Sequence, residues 1–477
     1  MTLNLSIPII LPPSVSQGFL GNLLWTQAPY FAATFILLVI CAFPLLKTQS
    51  NVLLLNPKKS IFDFLHIGPK KSFFTEADGI IKRWLSGNPV KAARINTWDG
   101  EVILVPPHMV HEVKNERRLS LSLWLRKAFH AHLPGFEGFQ EGGYHHDILK
   151  STCNNQLNKN LAKFTQPLTD EARTAVSDIF TEQTEQTPNI VARCVARVFL
   201  GEEFARNPDW IRITRDYTLA GVPVGFLLRL WPVSWRPVVQ WLIPGMSKLR
   251  KMMAEARQIV EPAVEKRNKQ KAAGKTGFSD SLEWFDESAR GKEYDHTGVQ
   301  VFLSVAAIHT STDLVCSTLV RLAQNPEILA PLRQEIATVL DESGWEKSSL
   351  QMMKLLDSVV KESQRMKPVA IGSFWFPAHD SSKDSTIAIP SYRMWDSEFY
   401  GNPEKWDGYR FCKMREEPGH ENQHQLATIS VDHFGFGYGR QPCPGRFYAA
   451  DLVKTILIHI VMKLPPGLVK THLRHPT

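Results

Sequence analysis

The stretch that decides the fold lies near the C-terminal end, Phe434–Ala449, and reads FGFGYGRQPCPGRFYA. One cysteine, Cys443, stands between Pro442 and Pro444, with glycines at 435, 437, 439 and 445 around it. Glycine lets backbone come close to something flat or bulky and supplies positive φ where a loop must curl. From Phe447 an apolar helical pattern runs through Ala450, Leu452, Val453, Ile456, Leu457, Ile460 and Val461 to Leu464, and Pro465-Pro466 end it. Cys443 therefore stands just ahead of a helix N-terminus, where backbone N–H groups and the helix dipole favour a thiolate. A lone cysteine in a glycine-rich turn is more often an ordinary packed thiol, so the rest of the chain has to decide.

The bulk properties narrow the choice. With 477 residues, 43% apolar and 10% aromatic, the chain suits one large catalytic domain with a sizeable core. Six cysteines, at 41, 153, 194, 316, 412 and 443, show no C-x-x-C pairing, which argues against a disulfide framework or a zinc ribbon. A net charge of +8 suits docking to an acidic protein or lying on an anionic membrane. No basic run with interleaved aromatics supports nucleic-acid binding. Residues 1–27 carry no Lys, Arg, Asp or Glu, and 28–46 form an apolar stretch of the length that crosses a bilayer. Lys47, Lys58 and Lys59 follow, which by the positive-inside rule places the main domain on the cytosolic side. A cleaved signal peptide is the rival reading, weakened by the uncharged N-terminus and the late apolar block. The expected organisation is a short lumenal N-terminus (1–27), a transmembrane anchor (28–46) and a cytosolic domain (47–477), with Asn4-Leu5-Ser6 as a lumenal sequon.

Along the domain, residues 50 to about 115 mix short β-like runs, such as Glu101–Val105, with a helix around Glu76 to Leu85. A small sheet at one edge of a helical body is expected. In the helical stretch 143–163, His146 and Lys150 lie four apart and share a face. Between 210 and 250, Leu227, Leu228, Leu230, Trp231, Trp235, Trp241 and Ile243 are broken by Arg229, Arg236 and four prolines. That is too interrupted to span a membrane but fits an interfacial segment; two buried core helices are the alternative. Residues 268–292 are polar and glycine-bearing and read as a surface connection. A long helix from about His296 to Gln324 follows, and its middle, Ala306–Thr312, reads AAIHTST. Small residues followed by hydroxyls mark where a helix makes room for a ligand, although a threonine in an apolar helix is usually back-bonded. On the next helix Glu362 and Arg365 are three apart, a pair that in isolation is worth about 0–1 kcal/mol. A second arginine, Arg410, comes in the segment Pro403–Phe411, PEKWDGYRF.

These four elements, in this order, resemble the cytochrome P450 superfamily. In that family's haem loop an aromatic lies seven positions before the cysteine, a glycine four before and a glycine two after, the places of Phe436, Gly439 and Gly445. Arg440 and the run Pro444-Gly445-Arg446-Phe447 resemble the fungal branch. The resemblance implies a mainly α fold with small β-sheets (α+β), a triangular helical body preceded by one transmembrane helix. It implies haem b, with Cys443 as axial ligand to the iron and Phe436, Gly437, Gly439 and Gly445 around it. Arg440, with His146 or Lys150, would meet the haem propionates; Thr310, with His309, would relay protons to oxygen; Glu362, Arg365 and Arg410 would brace the loop. Two residues depart from the pattern. Gln441 stands where the family usually has a basic residue on a propionate, and His309 takes the place of an acid. The segment between Pro368 and Pro390 is also shorter than usual, and only thirteen residues follow Leu464, where relatives continue into a strand pair.

The function so implied is a haem-thiolate monooxygenase of the endoplasmic reticulum membrane. Electrons would come from NADPH through a cytochrome P450 reductase, with cytochrome b5 as a further donor, docked on a basic face of Arg440, Arg446 and Lys454. The substrate would be an apolar small molecule, of the terpenoid or indole-terpenoid kind by analogy with fungal members. Two rivals stay open: a haem-thiolate isomerase or dehydratase that needs no O2, and a degenerate haem-binding member without turnover.

Overall fold

A computed structural model describes residues 51–58, 63, 67–97, 100–116, 119–144, 146–179, 186–369, 372–377 and 386–463; the side chains of Tyr144, His146 and residues 372–377 are not included. The expected anchor at 28–46, the sequon at Asn4, the tip of the 369–390 hairpin and the residues after Lys463 lie outside the described residues.

The first helix, α1 (Ile67–Gly87), starts earlier than its apolar spacing predicts and covers one side of a small sheet with Phe73, Ile81 and Leu85. Strands β1 (Ala93–Thr97) and β2 (Gly100–Leu104) form an antiparallel hairpin. The helical body follows: α2 (Leu121–Ala128), α3 (Glu137–Tyr144), α4 (His146–Thr152), α5 (Leu161–Ile179), α6 (Thr187–Phe199), α7 (Pro208–Arg229), α8 (Met246–Ala272), α9 (Ser281–Ala289), α10 (His296–Gln324), α11 (Leu329–Ser343) and α12 (Lys354–Met366). The chain then returns to the sheet with β3 (Gly372–Pro377) and β4 (Thr386–Pro390), and ends in α13 (Arg410–Glu416) and α14 (Arg446–Lys463). The strand order is β1-β2-β4-β3, with β4 parallel to β2, so residues near 100 and 388 are fixed side by side.

The expectation of a mainly helical body with a small β component holds, and a single four-stranded sheet is present among the described residues. One segment differs. Residues 281–289, read as part of a surface connection, form α9, capped by the Asp280 carboxylate on the Glu283 N–H. Leu282, Trp284, Phe285 and Ala289 are buried, so its polar residues mask an apolar face.

Two helices set the site. Helix α10 starts at Asp295, whose carboxylate accepts from the Thr297 and Gly298 N–H groups, and stops at Asn325 ahead of Pro326. It is apolar and long enough to cross a membrane, but it lies mostly inside the body and packs against α3, α6 and α12. Helix α14 is apolar on every side, with Leu452, Val453, Ile456, Leu457, Ile460 and Val461 all buried, the signature of a helix at the centre of a core.

Candidate active site

The cysteine loop is held almost entirely by its own backbone. The Cys443 N–H donates to the Phe436 carbonyl at 2.8 Å, and the Gly437 N–H to Phe434 at 2.9 Å. Gly437 and Gly439 have φ of +77° and +82°, where a side chain would be strained. At Gly439 a Cβ would also come within 2.6 Å of the Lys114 carbonyl, on which the loop rests through the Arg440 N–H at 3.0 Å. Helix α14 begins three residues after Cys443. Asn158, in the π-helical turn Cys153–Leu157 and its continuation after α4, donates its amide to the Pro444 carbonyl at 2.9 Å.

Cys443 opens into a cavity of ≈ 390 Å³. Gly435, Phe436 and Gly445 bound it on the loop side, and Ala306, Ala307 and Thr310 of α10 on another. Enclosure pushes the Cys443 thiol above its ordinary value; the Gly445 N–H and the Arg446 guanidinium act in the opposite direction but do not overcome it. The Gly445 N–H just ahead of α14 acts toward the thiolate, as a helix N-terminus should, but burial outweighs it. A positive metal ion at the sulfur would supply the missing stabilisation.

Thr310 lines the cavity, and its hydroxyl donates to the Ala306 carbonyl at 2.7 Å, so it is both back-bonded and at the wall. His309 is not at the wall. Its Nε2 meets the Arg215 carbonyl of α7 at 2.9 Å, and burial holds its pKa below the ordinary value, so it is a neutral donor turned away from the cavity. The expected pairing of His309 with Thr310 is therefore not formed: residues adjacent on a helix diverge by about 100°. Lys150 reaches the cavity and donates to the Arg440 carbonyl at 3.3 Å, whereas the Arg440 side chain lines a separate small cleft with Lys114 and Tyr438. The His146 side chain lies outside the described residues.

The bracing trio is assembled. Glu362 accepts from Arg365 Nε and Nη2 at 2.8 and 2.9 Å, from Arg410 Nε at 3.1 Å and from the Asp407 N–H at 3.1 Å. Arg365 spends its remaining donors on the Met394 and Pro403 carbonyls. Lys454, by contrast, is not on a basic face. It is buried and bonded to Asp357 at 3.0 Å and to the Leu350 carbonyl at 2.7 Å, while Asp357 also receives Arg415 and the Leu426 N–H. A lysine in the middle of a helix apolar all round requires a buried partner, a signal the sequence did contain. Phe302 and Leu303, which also line the cavity, were missed; Phe302 lies one turn before Ala306, on the face that leads to Thr310.

The site's donor set fits a haem. It offers one soft sulfur ligand, Gly445 with open space where a Cβ would stand, apolar walls, and Lys150 and Gln441 as polar groups at one edge. The Gln364 Oε1 and Tyr448 Oη, both in residues lining the cavity, are buried with no partner among the described residues.

The family model for cytochrome P450 matches residues 144–464. Cytochrome P450 monooxygenase 1 of Gibberella fujikuroi is 42% identical over 400 residues, 79% of this chain and 91% of that protein. The monooxygenase hepE of Aspergillus oryzae is 40% identical over 433 residues, covering 84% and 79%. The dihydromonacolin L monooxygenase LovA of Aspergillus terreus is 32% identical over 438 residues, covering 87% and 83%. The chain belongs to the cytochrome P450 family and is one of its monooxygenases.

Proposed function

We propose that this monooxygenase oxidises an apolar small molecule of the terpenoid type in a fungal secondary-metabolite pathway. It works at the endoplasmic reticulum membrane with electrons from NADPH passed on by a reductase, with cytochrome b5 as a further donor. One observation carries the reading: Cys443 and Thr310 face the same cavity, whose remaining walls are largely hydrocarbon. A cavity of that kind gains affinity by burying apolar surface and orients its ligand through few polar groups.

Haem bound here would supply the oxygen-activating iron, with Cys443 as its ligand and Lys150 at its anionic edge. The chain's own residues do the rest. The backbone of the cysteine loop fixes the sulfur, and the trio of Glu362, Arg365 and Arg410 fixes the segment leading to it. Leu121, Leu125, Phe302 and Leu303 exclude water and seat the substrate. The Thr310 hydroxyl holds a proton at the cavity wall; His309 serves to anchor α10 to α7. The exposed arginines for a reductase are Arg440 and, partly, Arg446, whose guanidinium also binds the Cys443 carbonyl at 3.0 Å. The exposed Trp231, Trp235 and Trp241 support a membrane-facing segment.

The reduced protein should give a strongly red-shifted Soret band with carbon monoxide, lost in Cys443→Ala. A band at the histidine-ligated position would overturn the thiolate assignment. With reductase, NADPH and O2 consumption should track product; product formed without reductase would favour isomerase or dehydratase chemistry. Thr310→Ala should lower product per NADPH by roughly tenfold or more, within the range a positioned proton donor contributes. Unchanged coupling would remove Thr310 from the proton path.

A further inference from the structure

Gln441 departs from the family pattern, and the site described above gives it only a place at the cavity edge. Its Oε1 accepts the Leu121 N–H at 3.0 Å, a bond between residues 320 apart in the chain. Leu121 is the first residue of α2, and Leu121 and Leu125 of that helix line the cavity. Helix α2 has eight residues, too few to be stable in isolation, so it depends on its contacts and on the partners of its first N–H groups. Ser120 Oγ takes the Leu123 N–H at 3.3 Å; Gln441 takes the Leu121 N–H.

The side-chain chemistry explains the departure. Arginine has no acceptor and could not receive the Leu121 N–H. An amide can, and with its oxygen committed its nitrogen is directed elsewhere. Gln441 also lines the cavity, on the edge where Lys150 stands, and no acceptor among the described residues meets its Nε2. One amide thus has its oxygen on the covering helix and donors free for an anionic group in the cavity.

We propose that Gln441 is a positioning residue that ties α2, and with it Leu121 and Leu125, to the loop carrying Cys443. Occupancy beside Cys443 and closure of α2 are then linked through a single amide. The identity of the occupant as haem rests on the reading above; the tether itself does not.

Hydrogen exchange over residues 120–126 tests it, alongside the spectral affinity for phenylimidazole. Gln441→Met keeps the length and loses the acceptor; exchange at 121–125 should rise about tenfold, the worth of one ordinary hydrogen bond. Phenylimidazole should bind several-fold more weakly while the reduced carbon monoxide band stays in place. Gln441→Glu keeps the acceptor and should keep wild-type protection. If Gln441→Met fails to load haem, Gln441→Asn, one methylene shorter, should show the same rise. Unchanged exchange in the Met and Asn variants, or a Glu variant as fast as Met, would overturn the tether. Loss of the thiolate band in the unmodified protein would instead overturn the haem reading, and the exchange comparison would still decide the tether.

Discussion

Two regions of the molecule are built from opposite materials. On the cysteine-loop side, α12 is buried along nearly its whole length although it carries Asp357, Lys361, Glu362 and Arg365. Each is bonded: Lys361 donates to the Gln425 and Thr428 carbonyls, and Asp357 and Glu362 each receive two basic side chains and a backbone N–H. In the second region, the chain from the end of α7 to residue 242 exposes Trp231, Val233, Trp235, Val238, Trp241 and Leu242. Buried charges cost more in desolvation than they return unless every donor and acceptor is met, so such a network fixes geometry more than it adds stability. Exposed hydrocarbon fixes nothing until something covers it. The loop proposed to hold the haem needs one geometry, whereas a segment proposed to meet a membrane needs none until it does. The chain spends its directional bonds accordingly.

The sharpest way to break this contrast is to remove one charge from the loop side. Glu362→Ala would leave two guanidiniums facing each other in the interior, with the Asp407 N–H also unmet. The expected loss is about 3–5 kcal/mol, read by denaturant unfolding, with haem retention falling in parallel. A loss under about 1 kcal/mol would mean the trio behaves as a surface ion pair.

The second test asks how another part of the molecule handles a buried charge. Glu141 of α3 is buried against the start of α10; desolvation first, and the Asp295 carboxylate second, push its pKa up to about 7. Here the solution is to stay neutral. Between an ordinary value of 4.5 and about 7 the unfolded chain releases this proton while the folded chain keeps it, so stability falls as pH rises across that window and is flat above it. The contribution is about 3 kcal/mol in full. Glu141→Gln should flatten the unfolding free energy over that window relative to the unmodified protein. An unchanged slope would mean that Glu141 is ionised in the fold and that this part treats charge as the loop side does.

How much of this the sequence shows depends on whether a residue's partner is local. Glu362 and Arg365 are legible because three positions on a helix already place them together, and Cys443 because its glycines and following helix are contiguous with it. Lys454 was misread as surface because its partner, Asp357, is ninety-seven positions away, and charge without a visible partner reads as solvated. His309 shows the same limit: the motif gives its position on α10, but which way its ring turns is decided by an α7 carbonyl ninety-four positions earlier. Gln441 was visible as an exception, and only the fold supplies the N–H it answers. The helix at 281–289 was hidden by composition, since Asp280, Glu283, Asp286 and Glu287 outweigh the buried Leu282, Trp284 and Phe285 in any average.

The smallest effect on stability should come from the exposed aromatic segment, and there the contrast can be refined. Trp231 and Trp235 are 44% and 60% exposed, whereas Trp241 carries the Arg250 guanidinium 4.3 Å above its ring and is already engaged. Replacing Trp231 and Trp235 by serine removes hydrocarbon about half of which touches water, so unfolding should change by only about 1–2 kcal/mol, less than at Glu362. Membrane contact should change far more, because indole rings at headgroup depth anchor a segment through both their apolar body and their N–H. Hydrogen exchange in residues 230–242 of the full chain should slow when anionic phospholipid vesicles are added, and the double serine variant should lose that slowing. This readout is local, so it separates the segment from any anchor at 28–46, which would hold the chain on the vesicle in both cases. Equal protection in the two proteins would mean that these tryptophans do not meet the bilayer. Their exposure would then call for a protein partner, and this segment would be a docking surface instead of a membrane face.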